Sequence, residues 1–462
     1  MGRIFSVGAS VFALSVIVLA ACVGDEPSVT PTPPDGGQSS SGTSGASSGS
    51  SGTSGGSSGT SGASGSSGTS GSACSGDTVD ACGASCTKCT APTGGTVDCV
   101  AGACQGKCPG TQTICGNACV DTQGSATNCG ACGHTCGAGP CNAGACQPFP
   151  VATGFTAVHG ISASSAGVVI AADSDLSLCT KPEGCTATGS LTTIRAGLSQ
   201  LSDVTVADTN VYFSAGNGDF QIVFRCPVAG CPAAGPDTIE NIVNDGIGRV
   251  VASPTNVAWT RYQSYYGPYS HQCALPACST NLVVRPQPAT GPYSSDPTRE
   301  MTVPSSIVSV GKVSTLWATG SLYNDATKQL RACGLAASCP TPTELDTGGN
   351  VVTALTYYND LHYGASGASG GGSVIFSVSD ATPGARTLLV SDAAGIADVA
   401  VDASGIYWSN AQTGKILRCS TLTGCQGSGQ TLATGQTGVS RVRLDAGFVY
   451  WMTPTAVMKV AK

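Results

Sequence analysis

Charge is what this chain has least of. Only 10% of its 462 residues are Asp, Glu, Lys or Arg, where soluble domains carry about 25%. The formal net charge is −7 and no basic run follows Arg3. This argues against nucleic acid as a partner, because phosphate binding needs a basic footprint. Histidine is as sparse: His134, His159, His271 and His362 complete the set, and none stands at a His-x-x-x-His spacing. His134 falls among cysteines, while His159 and His362 fall in strand-like segments, the ordinary setting of structural histidines. Sialidase-type Ser-x-Asp-x-Gly-x-x-Trp boxes are missing. Asp208, Asp402 and Asp445 stand where strands turn, a common use of aspartate. The sequence therefore offers no catalytic constellation, no metal cluster and no cofactor motif.

One long apolar run is present, from Ile4 to Ala21, and it ends in Leu19-Ala20-Ala21-Cys22. With Arg3 before it, the run has the charged, apolar and small-residue sections of an export signal, and it is too short for a retained span. The four residues resemble the lipobox of bacterial lipoproteins. That resemblance implies cleavage before Cys22, acylation of its sulfur and acylation of the new amino terminus, so the membrane becomes a partner through stable anchoring. Val23 replaces the aspartate associated with inner-membrane retention, which points to the outer membrane of a Gram-negative cell. Residues 1–21 are then the signal peptide and 22–73 the anchor and linker. After Val29 the linker has no core-forming side chain larger than alanine, so it cannot fold alone.

Cysteine is in excess, with 25 residues. Setting Cys22 aside leaves an even number, as a fully paired exported protein requires. Residues 74–146 hold fourteen of them with almost no apolar core, so order there must come from staples. The segment repeats: Cys86, Cys89, Cys99 and Cys104 recur as Cys129, Cys132, Cys141 and Cys146. Cys115-Gly-Asn-Ala-Cys119, followed by Asn128-Cys129-Gly-Ala-Cys132-Gly-His-Thr-Cys136, resembles the Stig1-type cysteine-rich module. The alternative use of Cys86, Cys89, Cys129 and Cys132 is as four zinc thiolates, against which the oxidising destination argues.

Residues 147–462 form a repeat array. Its clearest unit is Ile396-Ala-Asp-Val-Ala-Val-Asp402, Ile406-Tyr407-Trp408, Gly414-Lys-Ile-Leu-Arg-Cys419 and Gln430-Thr-Leu-Ala-Thr-Gly435. Each piece alternates apolar and polar residues between turn formers, the pattern of a short antiparallel strand. The second-strand position recurs at Ile170, Phe213, Trp259, Trp317, Tyr363, Trp408 and Trp451, at intervals of roughly 45 residues. Seven such units predict an all-β fold, a seven-bladed β-propeller. The last unit lacks a fourth strand, and Pro148-Phe-Pro-Val-Ala-Thr-Gly154 parallels the missing piece, so one blade is shared between the two ends of the array. Ile406-Tyr407-Trp408-Ser409 and Val449-Tyr450-Trp451-Met452 resemble the YWTD and NHL propellers, without the final aspartate. A pair of β-sandwiches is the other fold the strand pattern allows.

Five units carry a close cysteine pair after the third strand: Cys179/Cys185, Cys226/Cys231, Cys273/Cys278, Cys333/Cys339 and Cys419/Cys425. Each spacing lets a turn bring the two within disulfide reach. The fifth unit has Ser377 where its first cysteine would fall. The third blade departs from regularity, with a loop from Arg261 to Ser270 that carries Tyr262, Tyr265, Tyr266 and Tyr269. Tyr293 in the next connection and Tyr323 in the fourth blade fall on the same side, opposite the disulfides. Tyrosine supplies contact area and a hydroxyl at low entropic cost, so these six are the candidate ligand-binding residues. The sequence thus predicts a lipid-anchored surface protein whose propeller serves binding or adhesion, with an extracellular glycan, peptidoglycan or protein as ligand. The alternatives are an extracellular lyase or hydrolase acting on carbohydrate or peptide, and a structural envelope component.

Overall fold

The computed structural model describes residues 77–462 except 188, 218–219, 244–245, 264–266, 277, 279–280, 285–306, 320–328, 336–342, 346–349, 368–371, 393 and 426–428. Cys22, its signal and the linker lie outside the described residues.

Seven four-stranded antiparallel meanders make up the propeller. Blades one to six occupy 158–195, 203–243, 246–284, 307–345, 351–392 and 396–433. The seventh combines Val442–Leu444, Phe448–Thr453 and Ala456–Ala461 with Phe149–Thr153 from the start of the array. Ala456 pairs with Thr153 and Lys459 with Phe149. The shared blade expected from the sequence therefore closes the ring and removes its open seam.

The aligned second-strand side chains drive blade stacking. Ile170, Phe213, Trp259, Trp317, Trp408 and Trp451 are fully buried, each packed toward the preceding blade. Burial of an indole also buries its N–H, which needs an acceptor. Trp259, Trp408 and Trp451 donate Nε1 to Glu240 at 2.5 Å, Asp392 at 2.9 Å and Gln436 at 3.1 Å, all contributed by the preceding blade or its exit. Those three seams are thus both apolar and hydrogen-bonded, while among the described residues Trp317 Nε1 has no acceptor.

In the fifth blade the register corrects the sequence reading by one residue. Tyr363 pairs with Thr356 and packs against Val399 and Trp408 of the sixth blade, the opposite direction from the tryptophans. Gly364 holds the aligned position, opposite Leu355 and Phe376. A Cβ there would lie 2.4 Å from the Phe376 ring, so Phe376 fills from the third strand the space an aromatic at 364 would occupy. The missing cysteine shifts likewise. Cys419 faces Ile406 in the sixth blade, and the equivalent partner pair in the fifth is His362 and Val378, not Ser377.

In a meander the first-to-second and third-to-fourth turns share one side, while second-to-third turns and blade connections share the other. Cys179–Cys185, Cys226–Cys231, Cys273–Cys278 and Cys419–Cys425 are disulfides with Cα separations of 4.8–5.8 Å, in third-to-fourth turns. Cys333 is also disulfide-bonded, and Cys339 lies outside the described residues. Two of these turns hook the neighbouring blade, with Cys185 N donating to Val151 O and Cys231 N to Ile194 O.

The cysteine-rich segment is four short hairpins tied by Cys82–Cys99, Cys89–Cys104, Cys108–Cys119, Cys115–Cys132, Cys129–Cys141 and Cys136–Cys146. Cys86 is bonded as well. The zinc alternative falls, because the four sulfurs it required are all in disulfides. The duplication is real, but its register moves by one cysteine: Cys82, Cys86 and Cys89 match Cys129, Cys132 and Cys136. Glycine confirms this. A Cβ on Gly83 would meet Gly102 O at 2.5 Å, and one on Gly130 would meet Gly144 O at 2.5 Å, so each copy needs glycine at the same close approach.

The second copy docks on the disulfide side. Cys129, Cys136 and Cys146 share a core with Tyr407, Val449 and Trp451. Gly137 sits against the Phe448 ring, and His134 Nε2 lies 3.0 Å from Lys462 O.

Candidate functional site

The first strands are the innermost, each neighbouring the next round the ring. Just before the apolar residue that faces the aligned aromatic, four blades carry a charge. Asp203 precedes Val204, Arg249 precedes Val250, Asp398 precedes Val399 and Arg441 precedes Val442. Arg443, two positions on, faces the same way because side chains alternate along a strand.

These five residues form a belt across the channel. Arg249 Nη1 reaches Asp398 Oδ1 at 3.1 Å, Arg443 Nη1 reaches Asp398 Oδ2 at 2.9 Å, and Arg441 Nη1 reaches Asp203 Oδ2 at 3.1 Å. Each aspartate also accepts a backbone N–H from the next blade: Val250 N to Asp203 at 3.1 Å and Val442 N to Asp398 at 2.9 Å. The same device therefore joins blades two to three and six to seven. Side-chain exposure is 0% for Asp203, 1% for Asp398, 8% for Arg249, 13% for Arg441 and 24% for Arg443, so the belt is largely withdrawn from solvent, Arg443 least so.

The electrostatics follow from burial and crowding. Desolvation pushes the Asp398 carboxyl up, but Arg249, Arg443 and Arg441 outweigh it and hold it down to about 2. Burial lowers the Arg441 guanidinium, and Arg249 and Arg443 lower it further, against the pull of Asp203 and Asp398, leaving it at about 10. Among the described residues, two buried atoms of the belt have no hydrogen-bond partner, the donor Arg249 Nε and the acceptor Asp203 Oδ1. Gly160, in the first blade, packs close against that oxygen, and a Cβ there would come within 2.8 Å of it.

A second polar cluster joins blades four and five. Ser314 Oγ lies 3.0 Å and Asp380 Oδ1 3.1 Å from His362 Nε2, and Ser309 Oγ is 2.9 Å from Nδ1. Serine and aspartate share one ring nitrogen, unlike a nucleophile, base and orienting acid in series. Asp380 also accepts N–H groups from Lys312, Val313 and Ser314, and His362 and Asp380 are buried. The cluster is a clamp between blades.

Of the sequence-predicted binding residues, Tyr265, Tyr266, Tyr293 and Tyr323 lie outside the described residues. Tyr262 and Tyr269 stand on paired strands rather than in a loop. Asn256–Gln263 and Gly267–Ala274 form a hairpin that runs to Gln263 opposite Gly267, because alternation continues through the tyrosines. The belt itself went unread. Its signal was the charge preceding the aligned valine in Asp203-Val204, Arg249-Val250, Asp398-Val399 and Arg441-Val442, visible once the units are superposed.

No family model matches the chain, and no curated protein matches it. Solved structures resemble it at low identity. The WD40 β-propeller domain of Doa1 is 13% identical with a TM-score of 0.48, covering 68% of this chain and 96% of that one. The PQQ-bound aldose sugar dehydrogenase of Streptomyces coelicolor is 10% identical with a TM-score of 0.41, over 68% and 96%. The computationally designed Ika8 protein is 12% identical with a TM-score of 0.42, over 68% and 99%.

Proposed function

We propose that this chain is an exported, lipid-anchored envelope protein whose propeller is a ligand-binding platform. The observation that carries the reading is the side on which the cysteine-rich module docks. Phe448 and Lys462, its contacts, lie at the disulfide end of the seventh blade, so the module occupies that side. The opposite side carries the entrances of the first strands, the charged belt and the long third-blade hairpin. A face left clear of the module suits binding, and the anchor at Cys22 holds the protein at the outer membrane.

Purified full-length protein is expected to bind on a glycan and peptidoglycan array. Tyr265→Ala with Tyr266→Ala is expected to weaken that binding about thirtyfold, the effect of losing an aromatic anchor of about 2 kcal/mol. Unchanged affinity with a large fall in melting temperature would make the tyrosines packing residues.

A further inference from the structure

We propose that the second copy of the cysteine-rich module is a redox-sensitive clasp on the propeller: its two adjacent disulfides hold the closing strand in the seventh blade, and a dithiol reductant that opens them frees that strand. How the ring stays shut is a separate matter from what the platform binds.

The closing strand has little else to hold it. In blades one to six the fourth strand follows the third in sequence, whereas Phe149–Thr153 joins Ala456–Ala461 from the far end of the array. The join is four residue pairs, from Ala456 with Thr153 to Lys459 with Phe149, and its register breaks between Val457 and Met458. Pro150 sits inside it and has no N–H to give. The strands of the seventh blade contain no cysteine, so the turn staple of the first and sixth blades has no counterpart there.

The second copy supplies one. Only Gln147 and Pro148 separate Cys146 from Phe149, and Gln147 N donates to Pro140 O at 2.8 Å. A Cβ on Gly139 would come within 2.8 Å of both Gln147 O and the Phe149 ring, and one on Gly137 within 2.7 Å of the Phe448 ring. Those two rings, on the fourth and second strands, meet edge to face at 6.3 Å, with Lys459 Nζ of the third strand 4.9 and 4.7 Å from their centres. The module therefore grips the blade on both sides of the join.

Sulfur geometry lets the clasp open as a unit. The Sγ atoms of Cys129, Cys136 and Cys146 all lie within 4.8 Å of one another, and Cys141, the partner of Cys129, is the partly exposed member of the two staples. One thiolate of a dithiol attacks Cys141 Sγ, and the bond to Cys129 breaks with Cys129 leaving as a thiolate. The second thiolate of the reagent then displaces Cys141 and closes a cyclic disulfide, so the dithiol loses the two electrons that the staple gains. The Cys129 thiolate is then in reach of Cys146 Sγ, and its attack forms Cys129–Cys146 and releases the Cys136 thiolate.

The first copy is a matched control within the same chain. Cys89–Cys104 is the equivalent staple, with the same sulfur cluster around Cys82, but Cys104 is exposed where Cys146 is buried against the propeller.

The test is hydrogen exchange of the full chain, read on the amides of Phe149–Thr153 and Ala456–Ala461. Cys136→Ala with Cys146→Ala is expected to speed exchange in both strands by about tenfold or more, while Cys89→Ala with Cys104→Ala leaves it unchanged. Should the first variant fail to fold, Gly139→Ala keeps every disulfide and presses on Gln147 and Phe149, and faster exchange of the same strands is again expected. In the parent chain, graded dithiothreitol with alkylation mapping should show the strands losing protection as Cys129–Cys141 and Cys136–Cys146 open, and not as Cys89–Cys104 opens. Equal exchange in the two cysteine variants, an unchanged rate in folded Gly139→Ala, or strands that stay protected once both second-copy staples are reduced each overturn the proposal.

Discussion

Arg249 on the third blade and Asp398 on the sixth stand 149 positions apart in sequence, and their Nη1 and Oδ1 atoms meet at 3.1 Å. The contact spans the channel, so it forms only after the ring has closed. Arg441 and Asp203 do the same between the seventh and second blades. Such pairs return little net energy over apolar substitutes, but breaking one strands a buried charge. Their use here is to set the position of blades relative to one another.

Asp398→Asn keeps the shape of the side chain and removes the charge that Arg249 and Arg443 share. Denaturant unfolding is expected to show a loss of about 3–5 kcal/mol. A loss below about 1 kcal/mol, the scale of a surface pair, would show that the belt is not a stabilising tie.

Acid should weaken the fold in a defined window. Asp398 falls from 3.8 to about 2 in the folded chain. Asp380 is lowered too: burial raises it, and hydrogen bonds from His362, Ser314 and the Lys312–Val313 backbone more than compensate. A carboxyl depressed on folding contributes stability that is complete above its unfolded value and lost as pH falls through the folded one. Unfolding free energy is therefore expected to stay level down to about pH 5 and to drop between about pH 4 and 2, by about 2 kcal/mol from Asp398 alone. Asp398→Asn should shed its share of that drop, and an identical acid limb in the variant would contradict the assignment.

Gly364→Ala is expected to destabilise by about 1–3 kcal/mol, because its methyl runs into the Phe376 ring and the core must shift. Phe376→Leu in the same chain should restore part of the loss. If Gly364→Ala is as stable as the parent, the fifth-blade register described above is wrong.

Anchoring is expected to depend on Cys22, since acylation needs its sulfur. Mass spectrometry of the membrane fraction should find an acylated amino terminus at residue 22, and Cys22→Ala should release the protein in unacylated form. A parent chain carrying no lipid would sink the lipoprotein reading.

Much of the fold could be read from local pattern. Alternation of polar and apolar residues depends on the strand itself, and the aromatic at each second strand has to recur because every blade stacks on an equivalent neighbour. Where the pattern misled, a neighbour had compensated. Tyr363 looked like the fifth aromatic until Phe376, from another strand, proved to fill the place beside Gly364. The stretch from Arg261 to Ser270 looked like a loop because its tyrosines are polar at one end, although a ring on a strand pairs as well as any other.

By itself the sequence determined seven blades, a shared closing blade, a stapled segment before them and cysteine pairs at the third-to-fourth turns, because each follows from residues within one unit or from two matching ends. Only the tertiary structure decided which module cysteines pair, which side the module covers and which charges meet in the channel. Arg441 and Asp203, 238 residues apart, carry no mark of each other in sequence. They become neighbours because closing a ring brings the first strands of distant blades to one axis, where a low dielectric makes every unmatched charge select its partner.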